Sequence, residues 1–412
     1  MKKFTTLSLF LLLTFSIVIY SCQKGTDEVS PTTLELTQEA DLITYASSEV
    51  IEGHYIVVFK DDAFPTLQGR SISTANYKTA KSDLEKEAKS LLETNRIAAK
   101  DIQHSYVKTI KGIALELTDT EVEQLRKDNR VDYIEQDQTV HVTMGGPPGG
   151  GGGGGDPPQS TPWGVTRVGG AMDGTNAGTA WIIDSGIDLD HPDLNVDVSR
   201  SQSFLSGGGG SSSPDDQNGH GSHVAGTVAA IDNGIGVVGV AAGATVVAVR
   251  VLDRRGSGSI SGVIAGVDYV GANAASGDAA NMSLGGGVST ALDNAVVDAS
   301  SACPFALAAG NESDDANNHS PARANGNNIY TVSSMTSTDN WSSFSNYGNP
   351  PVDFCAPGSS IYSTYKNGDY ATLSGTSMAA PHVCGILLIG GITSDGTVIG
   401  DPDGDPDDIA HH

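Results

Sequence analysis

The chain has 412 residues, with 49 acidic against 23 basic side chains and a formal charge of −26. That balance argues against nucleic acid as a partner, because neutralising phosphates needs clustered Lys and Arg. The length suits two domains behind a targeting segment.

Lys2 and Lys3 precede an apolar run from Phe4 to Tyr20, which is short for a bilayer span and has the charged-then-apolar layout of an export signal. Residues 1–21 are therefore read as a signal peptide, and the protein as exported, either as a cell-envelope lipoprotein or as an extracellular protein. The run ends Ile19-Tyr20-Ser21-Cys22, which resembles a bacterial lipobox. Three fates stay open: lipidation of Cys22 with anchoring to the membrane, ordinary cleavage, or retention as an uncleaved anchor. With Cys22 lipidated, Cys303, Cys355 and Cys384 remain, so at least one thiol has no partner in the chain; spacing does not choose a pair. Residues 22–50 carry many Thr, Ser, Glu and Asp without apolar periodicity and read as a tether.

A first module spans residues 51–143. Tyr55–Phe59 reads as a strand, Ser82–Arg96 has the Leu84/Ala88/Leu91/Leu92 spacing of an amphipathic helix, and Gly112–Leu117 alternates as a strand. Thr118 with Glu121 forms a capping box that opens a second helix, with Leu117 and Val122 placed to staple its entry. Val131–Glu135 closes the module, with room for a further strand near Gln103 to Thr109. The order predicts a small α+β sandwich. Residues 144–160 are nearly all Gly and Pro and form an exposed linker.

The last block, residues 161–412, alternates apolar strands (Thr179–Ile183, Thr245–Val251, Ala279–Ser283, Phe305–Ala309) with helical stretches rich in small residues. That alternation predicts an α/β fold with a parallel sheet covered by helices on both faces.

Three segments of this block carry chemistry. In Ser374-Gly375-Thr376-Ser377-Met378-Ala379-Ala380-Pro381, a tight turn into a helix puts the Ser377 hydroxyl and N–H at the positive end of a helix dipole, where an oxyanion would be stabilised. The bland reading of such a serine is a helix cap. Pro381 is expected in or just beyond the first turn, where its missing N–H costs little. In Asn218-Gly219-His220-Gly221-Ser222-His223, a glycine turn leads into a helix, and an imidazole there can shuttle the serine proton at neutral pH. No Glu-bearing zinc pattern surrounds the two histidines, and His223 reads as a packed helical residue. Asp184 ends the strand Thr179–Ile183, at the edge where open α/β sheets keep their sites, and can orient the imidazole. Asp188 is its rival, read as an exposed turn or cation-binding group.

Together these motifs resemble the subtilase family, in its proteinase K-like branch, over nearly all of Thr161 to Gly391. The Asp, His, Ser chain order is one of the standard arrangements of this triad. The resemblance implies a secreted serine endopeptidase acting on polypeptide substrates through Asp184, His220 and Ser377, expected as a monomer. It implies Asn311, in Ala308-Ala309-Gly310-Asn311, as the oxyanion-hole side chain. Gly256, Ser257 and Gly258, with Ser283, Leu284 and Gly285, would be the strands that pair with an extended peptide, and Ala308, Ala309 and Gly310 would line the pocket for the residue before the cut bond. Asp353, with the carbonyls of Asn327 and Ile329, would bind a structural Ca²⁺. The first module resembles an inhibitory propeptide of the peptidase inhibitor I9 type, its last strand leading into the cleft, so that the chain is its own intramolecular inhibitor and a self-processing zymogen.

The chain departs from the family pattern at Ser222 (usually Thr), at Cys384 (usually Ala) and at its end. Only 35 residues follow Ser377, and the acidic stretch Asp401–Asp408 cannot form an apolar helix; it is expected to bind a cation or lie as an extended arm. The competing function, a catalytically inactive surface-binding protein on the same fold, requires loss of Asp184, His220, Ser377 or Asn311, and all four are present.

Overall fold

The computed structural model describes residues 40–43, 49–142, 149–150, 157–206 and 212–412. The signal segment, Cys22, most of the tether and most of the Gly/Pro linker lie outside the described residues. Among those described, no helix is long and apolar enough to cross a membrane. The elements of the first module are β1 (Asp41–Ile43), β2 (Val50–Phe59), α1 (Tyr77–Thr94), β3 (Ile102–Tyr106), β4 (Gly112–Glu116), α2 (Asp119–Leu125) and β5 (Val131–His141). Its strands lie in the order β1-β5-β2-β4-β3. Helix α1 begins five residues before the expected Ser82, because Tyr77 and Ala80 extend the buried stripe of Leu84, Ala88, Leu91 and Leu92. The capping box forms as the sequence predicts, with Glu121 N donating to Thr118 Oγ1 at 3.4 Å and Thr118 N to Glu121 Oε2 at 2.8 Å. Residues 41–43, inside the stretch read as tether, instead add a parallel strand to β5 along Tyr133–Glu135.

The large block contributes β6 (Gly149–Gly150), β7 (Thr179–Asp184), α3 (His220–Ala229), β8 (Thr245–Arg250), β9 (Ser257–Ser259), α4 (Ile260–Asn273), β10 (Ala279–Met282), β11 (Gly285–Gly286), α5 (Thr290–Ala299), β12 (Phe305–Ala308), β13 (Ile329–Met335), β14 (Val352–Pro357), β15 (Ile361–Tyr365), β16 (Asp369–Leu373), α6 (Thr376–Ile389), β17 (Thr393–Thr397) and β18 (Asp408–His411). Its main sheet runs β8-β7-β10-β12-β13-β14-β18-β17, every pair parallel except the last. From β7 the chain moves first to one side, at β8, and then to the other, at β10. The carboxyl end of β7 is therefore the topological switch point, where open α/β sheets leave a crevice. Asp184 is its last residue.

One buried cluster packs the first module and continues into α4, α5 and one face of the main sheet, including Trp181, Ile183 and Met282. A second packs α3 and α6 on the opposite face, through Val224, Val228, Met378 and Val383.

The acidic tail is not a free arm. Residues 398–407 turn between β17 and β18, and β18 joins the main sheet beside β14 through Cys355↔Ile409. Ile409 and Ala410 are both buried there, so burial of this apolar pair beyond the charged turn, not helix propensity, decides the local structure. Among the described residues no group of three or more His, Cys, Asp or Glu is placed to hold a metal ion. Cys303, Cys355 and Cys384 are all free and buried.

Candidate active site

Helix α3 starts where Gly219 adopts φ +108°, and a Cβ there would sit 2.3 Å from the Tyr365 ring. The turn thus requires glycine. It presents His220 to Asp184: Nδ1 lies 2.9 Å from Oδ1 and 3.0 Å from Oδ2, with both side chains fully buried. Asp184 Oδ1 also accepts from Ser185 N at 2.6 Å. A carboxylate on Nδ1 fixes the neutral ring with its proton on Nδ1 and its lone pair on Nε2. The Nε2 atom is buried and has no hydrogen-bond partner among the described residues.

Ser377 is the second residue of α6. Its hydroxyl donates to Ser283 O at 3.1 Å. Pro381 stands inside the helix, past its first turn, so the N–H that would reach the Ser377 carbonyl is absent. Ser283 Oγ supplies the missing donor at 2.8 Å, and Asn281 Nδ2 donates to Ser283 Oγ at 2.9 Å. Proline is tolerated here because Ser283, just past the end of β10, replaces its lost hydrogen bond.

Asn311 is held beside Ser377 by its side-chain oxygen, which accepts from Thr376 N at 2.8 Å and Thr376 Oγ1 at 3.1 Å. The loop carrying it closes on Asn346, whose Oδ1 accepts from Glu312 N and Asp314 N while its Nδ2 donates to Ala309 O. Gly310 has φ +110°, and a Cβ there would lie 2.1 Å from Asn346 Nδ2. The work of Asn346 is to shape this loop.

Two other organising residues carried no sequence signal read as functional. Asp216 accepts from Asn218 N, Gly219 N, Ser222 N, Ser222 Oγ and Ser185 Oγ, which fastens the start of α3 to the residue after Asp184. Burial pushes its carboxyl up from the usual range against those bonds. Arg250, also buried, donates to the carbonyls of Ser213 and Asp215 and pins the loop entering that turn. His223 is a packed residue, as the sequence predicts: its Nε2 lies 3.0 and 3.1 Å from the carbonyls of Ile361 and Ala371, and burial lowers its pKa to about 3. Asp188 is buried rather than exposed, and accepts from Gly368 N at 2.8 Å.

The end of β5 lies in the crevice. It pairs antiparallel with β9 on one side (Ser257↔His141, Gly258↔Val140) and β11 on the other (Gly285↔His141, Gly286↔Val140). Val142 N donates to Gly256 O at 2.9 Å. This explains why β5 extends six residues past the predicted Glu135: its second half gains pairing partners that the first module does not supply. A cavity of about 210 Å³ opens beside it, lined by Leu284, Gly285–Gly287, Ala308–Gly310, Thr376 and Ser377, with Glu312 and His319 on its polar side. Gly286, Gly287, Glu312 and His319 were not singled out in sequence.

The first module is held by three buried carboxylates. Glu135 accepts from Ser289 Oγ and from Ala291 N at the start of α5. Asp137 accepts from Ser261 N and Ser261 Oγ at the start of α4. Each puts negative charge on a helix N-terminus. In the reverse direction, Asp268 of α4 accepts from Val107, Lys108 and Thr109 N–H, Thr109 Oγ1 and Tyr77 OH.

At the expected calcium position, Thr331 N donates to Asp353 Oδ2 at 2.9 Å and Ser300 Oγ donates to Asn327 O at 3.1 Å. Desolvation raises the Asp353 carboxyl to about 6, and no cationic side chain pairs with it among the described residues. One carboxylate with carbonyls of Asn327 and Ile329 is an oxygen-only set, which fits a hard cation.

Residues 181–389 match the model of the subtilase family and residues 54–143 that of peptidase inhibitor I9. The chain is 39% identical over 368 residues to the extracellular serine proteinase of Thermus sp. (strain Rt41A), covering 86% of this chain and 83% of that one. It is 44% identical over 294 residues to alkaline serine exoprotease A of Vibrio alginolyticus, covering 68% and 52%. A solved cold-adapted subtilisin-like serine proteinase superposes with a TM-score of 0.53 at 39% identity, covering 60% of this chain and 97% of that one.

Proposed function

Because this chain belongs to the subtilase family and is a serine-type endopeptidase with an inhibitory propeptide, we propose that Asp184, His220 and Ser377 are its catalytic triad and that it is made as a self-processing zymogen. The observation that carries this reading is the fully buried Asp184–His220 pair at 2.9 and 3.0 Å, set at the sheet's switch point.

Ser377 Oγ attacks the substrate carbonyl and His220 Nε2 takes its proton, later returning it to the leaving amine. Asp184 holds the tautomer and stabilises the imidazolium. At rest the Ser377 hydroxyl is engaged by the Ser283 carbonyl. A substrate N–H that bonds to that carbonyl displaces the hydroxyl and turns it toward His220. The Ser377 N–H and the Asn311 amide nitrogen hold the oxyanion, and Asn311→Ala should cost about 10²–10³ in kcat. Gly256–Gly258 and Ser283–Gly285 pair with the substrate main chain, the track that β5 fills in the zymogen. A calcium ion held by Asp353 and the carbonyls of Asn327 and Ile329 would stabilise the fold away from the chemistry.

The extracellular relative and the export signal support secretion, with Cys22 as lipid attachment point before processing. Labelled palmitate should enter the wild-type chain and not Cys22→Ala; label retained in the variant removes the lipobox reading. For the activity, Ser377→Ala should abolish both hydrolysis of a denatured protein and removal of the propeptide. Comparable turnover by the purified variant would sink the mechanism.

A further inference from the structure

The zymogen chain adds a strand to the large block at two places. Upstream, β5 lies between β9 and β11 as far as Val142. Downstream, β6 adds antiparallel to β16, with Thr372↔Gly149 and Ala371↔Gly150. The residues between, 143–148, lie outside the described ones; a stretch of that length spans at most about 20 Å when extended.

Strand β16 has β15 on one edge and β6 on the other. Without β6 it presents an open edge, a ready template for an added strand. That edge is fixed relative to the triad. Its last residue, Leu373, is four residues before Ser377. The β15–β16 hairpin is strapped to the helix that carries His220: His223 Nε2 reaches the carbonyls of Ile361 and Ala371, Thr364 Oγ1 donates to Ser222 O at 2.6 Å, and Tyr365 OH donates to Asn218 O at 3.1 Å. The segment occupying the edge is Gly-Gly, which brings no side chain to the contact, and glycine weakens a strand through its entropy. The edge therefore binds main chain, and its resident strand is easily displaced.

Resting on the peptidase reading above, we propose that the edge of β16 at Ala371–Thr372 is a second substrate track: it takes the leaving side of an extended polypeptide, beyond the residues next to the cut bond, by antiparallel main-chain pairing. In the zymogen β6 stands in for that substrate. A long unfolded chain would then be gripped by added strands both before and after the bond, whereas a short peptide would be gripped only before it. Unfolded proteins and long peptides become the favoured substrate class, with little sequence demand downstream.

The test uses the full chain, purified after self-processing, and quenched fluorescent peptides with a constant upstream half and leaving sides of about two to ten residues. The value of kcat/KM should step up about tenfold at a leaving-side length no greater than about eight residues, the chain distance from Val142 to Gly150. N-methylating, within the long peptide, the backbone amides of the two residues at which the step occurs should return it to the short-peptide value, because it removes the pairing donors and leaves the sequence intact. A flat length profile with normal cleavage of short peptides, or indifference to N-methylation, overturns the second track alone. Failure to cleave even the shortest peptides overturns the peptidase reading and this one with it.

Discussion

Ser283 and Ser377 exchange hydrogen bonds: the Ser283 hydroxyl donates to the Ser377 carbonyl at 2.8 Å, and the Ser377 hydroxyl donates to the Ser283 carbonyl at 3.1 Å. The first bond replaces the helical N–H that Pro381 lacks. Ser283→Ala should therefore leave a buried carbonyl without its donor and destabilise the fold by about 1–3 kcal/mol. Pro381→Ala restores an N–H at the right place in the helix, so the double variant should recover most of that loss. Denaturant melts in an Asp184→Asn background, where self-digestion is slow, would read the coupling. Strictly additive losses would show that the two residues do not share this carbonyl.

Asp268 offers a different test, of how the propeptide is held. Its buried carboxylate collects three backbone N–H groups and two hydroxyls from the first module. Asp268→Ala leaves those donors without an acceptor, at a cost of about 3 kcal/mol or more. In the Ser377→Ala zymogen, residues 49–142 should become the first segment lost to an added protease. Unchanged proteolysis and unchanged unfolding would place the holding energy elsewhere.

The legibility of this molecule in its sequence follows the range of the forces. The capping box of Thr118 and Glu121, the β7 strand ending in Asp184 and the glycine turn before His220 are local patterns, and each forms where the residues alone place it. What stayed hidden depends on partners far along the chain. Asp268 sits in an apolar helical run and shows no sign of the module some 160 residues upstream. The last three residues of β5, Thr139 to His141, have ladder partners only in β9 and β11. Pro381 was read from its own helix, while its compensation comes from Ser283, 94 residues earlier. The tail was judged by its charges, whereas the buried pair Ile409 and Ala410, which seats β18 in the sheet, is the feature that decides its structure.

Calcium at Asp353 is tested by chelation. Without a cation, desolvation raises this carboxyl to about 6, so ionising it near neutral pH costs stability; a bound cation reverses that cost. EDTA should lower the melting temperature of wild type by several degrees and leave Asp353→Asn unchanged, and the difference should shrink below about pH 6 as the carboxyl protonates. An unchanged melt in wild type, with metal content verified as zero, removes the site.

Asp407 gives the opposite kind of pH dependence from an ion-paired carboxylate. It is buried, accepts from the Ser333 hydroxyl, and faces Asp401 and Asp403. Desolvation raises its pKa to about 7, above the value of about 3.9 expected in the unfolded chain. Below about pH 4 the group is protonated in both states and costs nothing. Between about pH 4 and 7 the folded state holds the proton more tightly, so stability falls as pH rises, and above pH 7 the full cost is present. Asp407→Asn keeps the shape and removes the charge. Its effect on the melting temperature should be near zero at pH 4 and grow to a stabilisation of up to about 4 kcal/mol at pH 8. Circular-dichroism melts across that range, on the Ser377→Ala chain, would show it. A pH-independent difference, or an Asn variant less stable at pH 8, would mean that Asp407 is ionised and compensated in the fold.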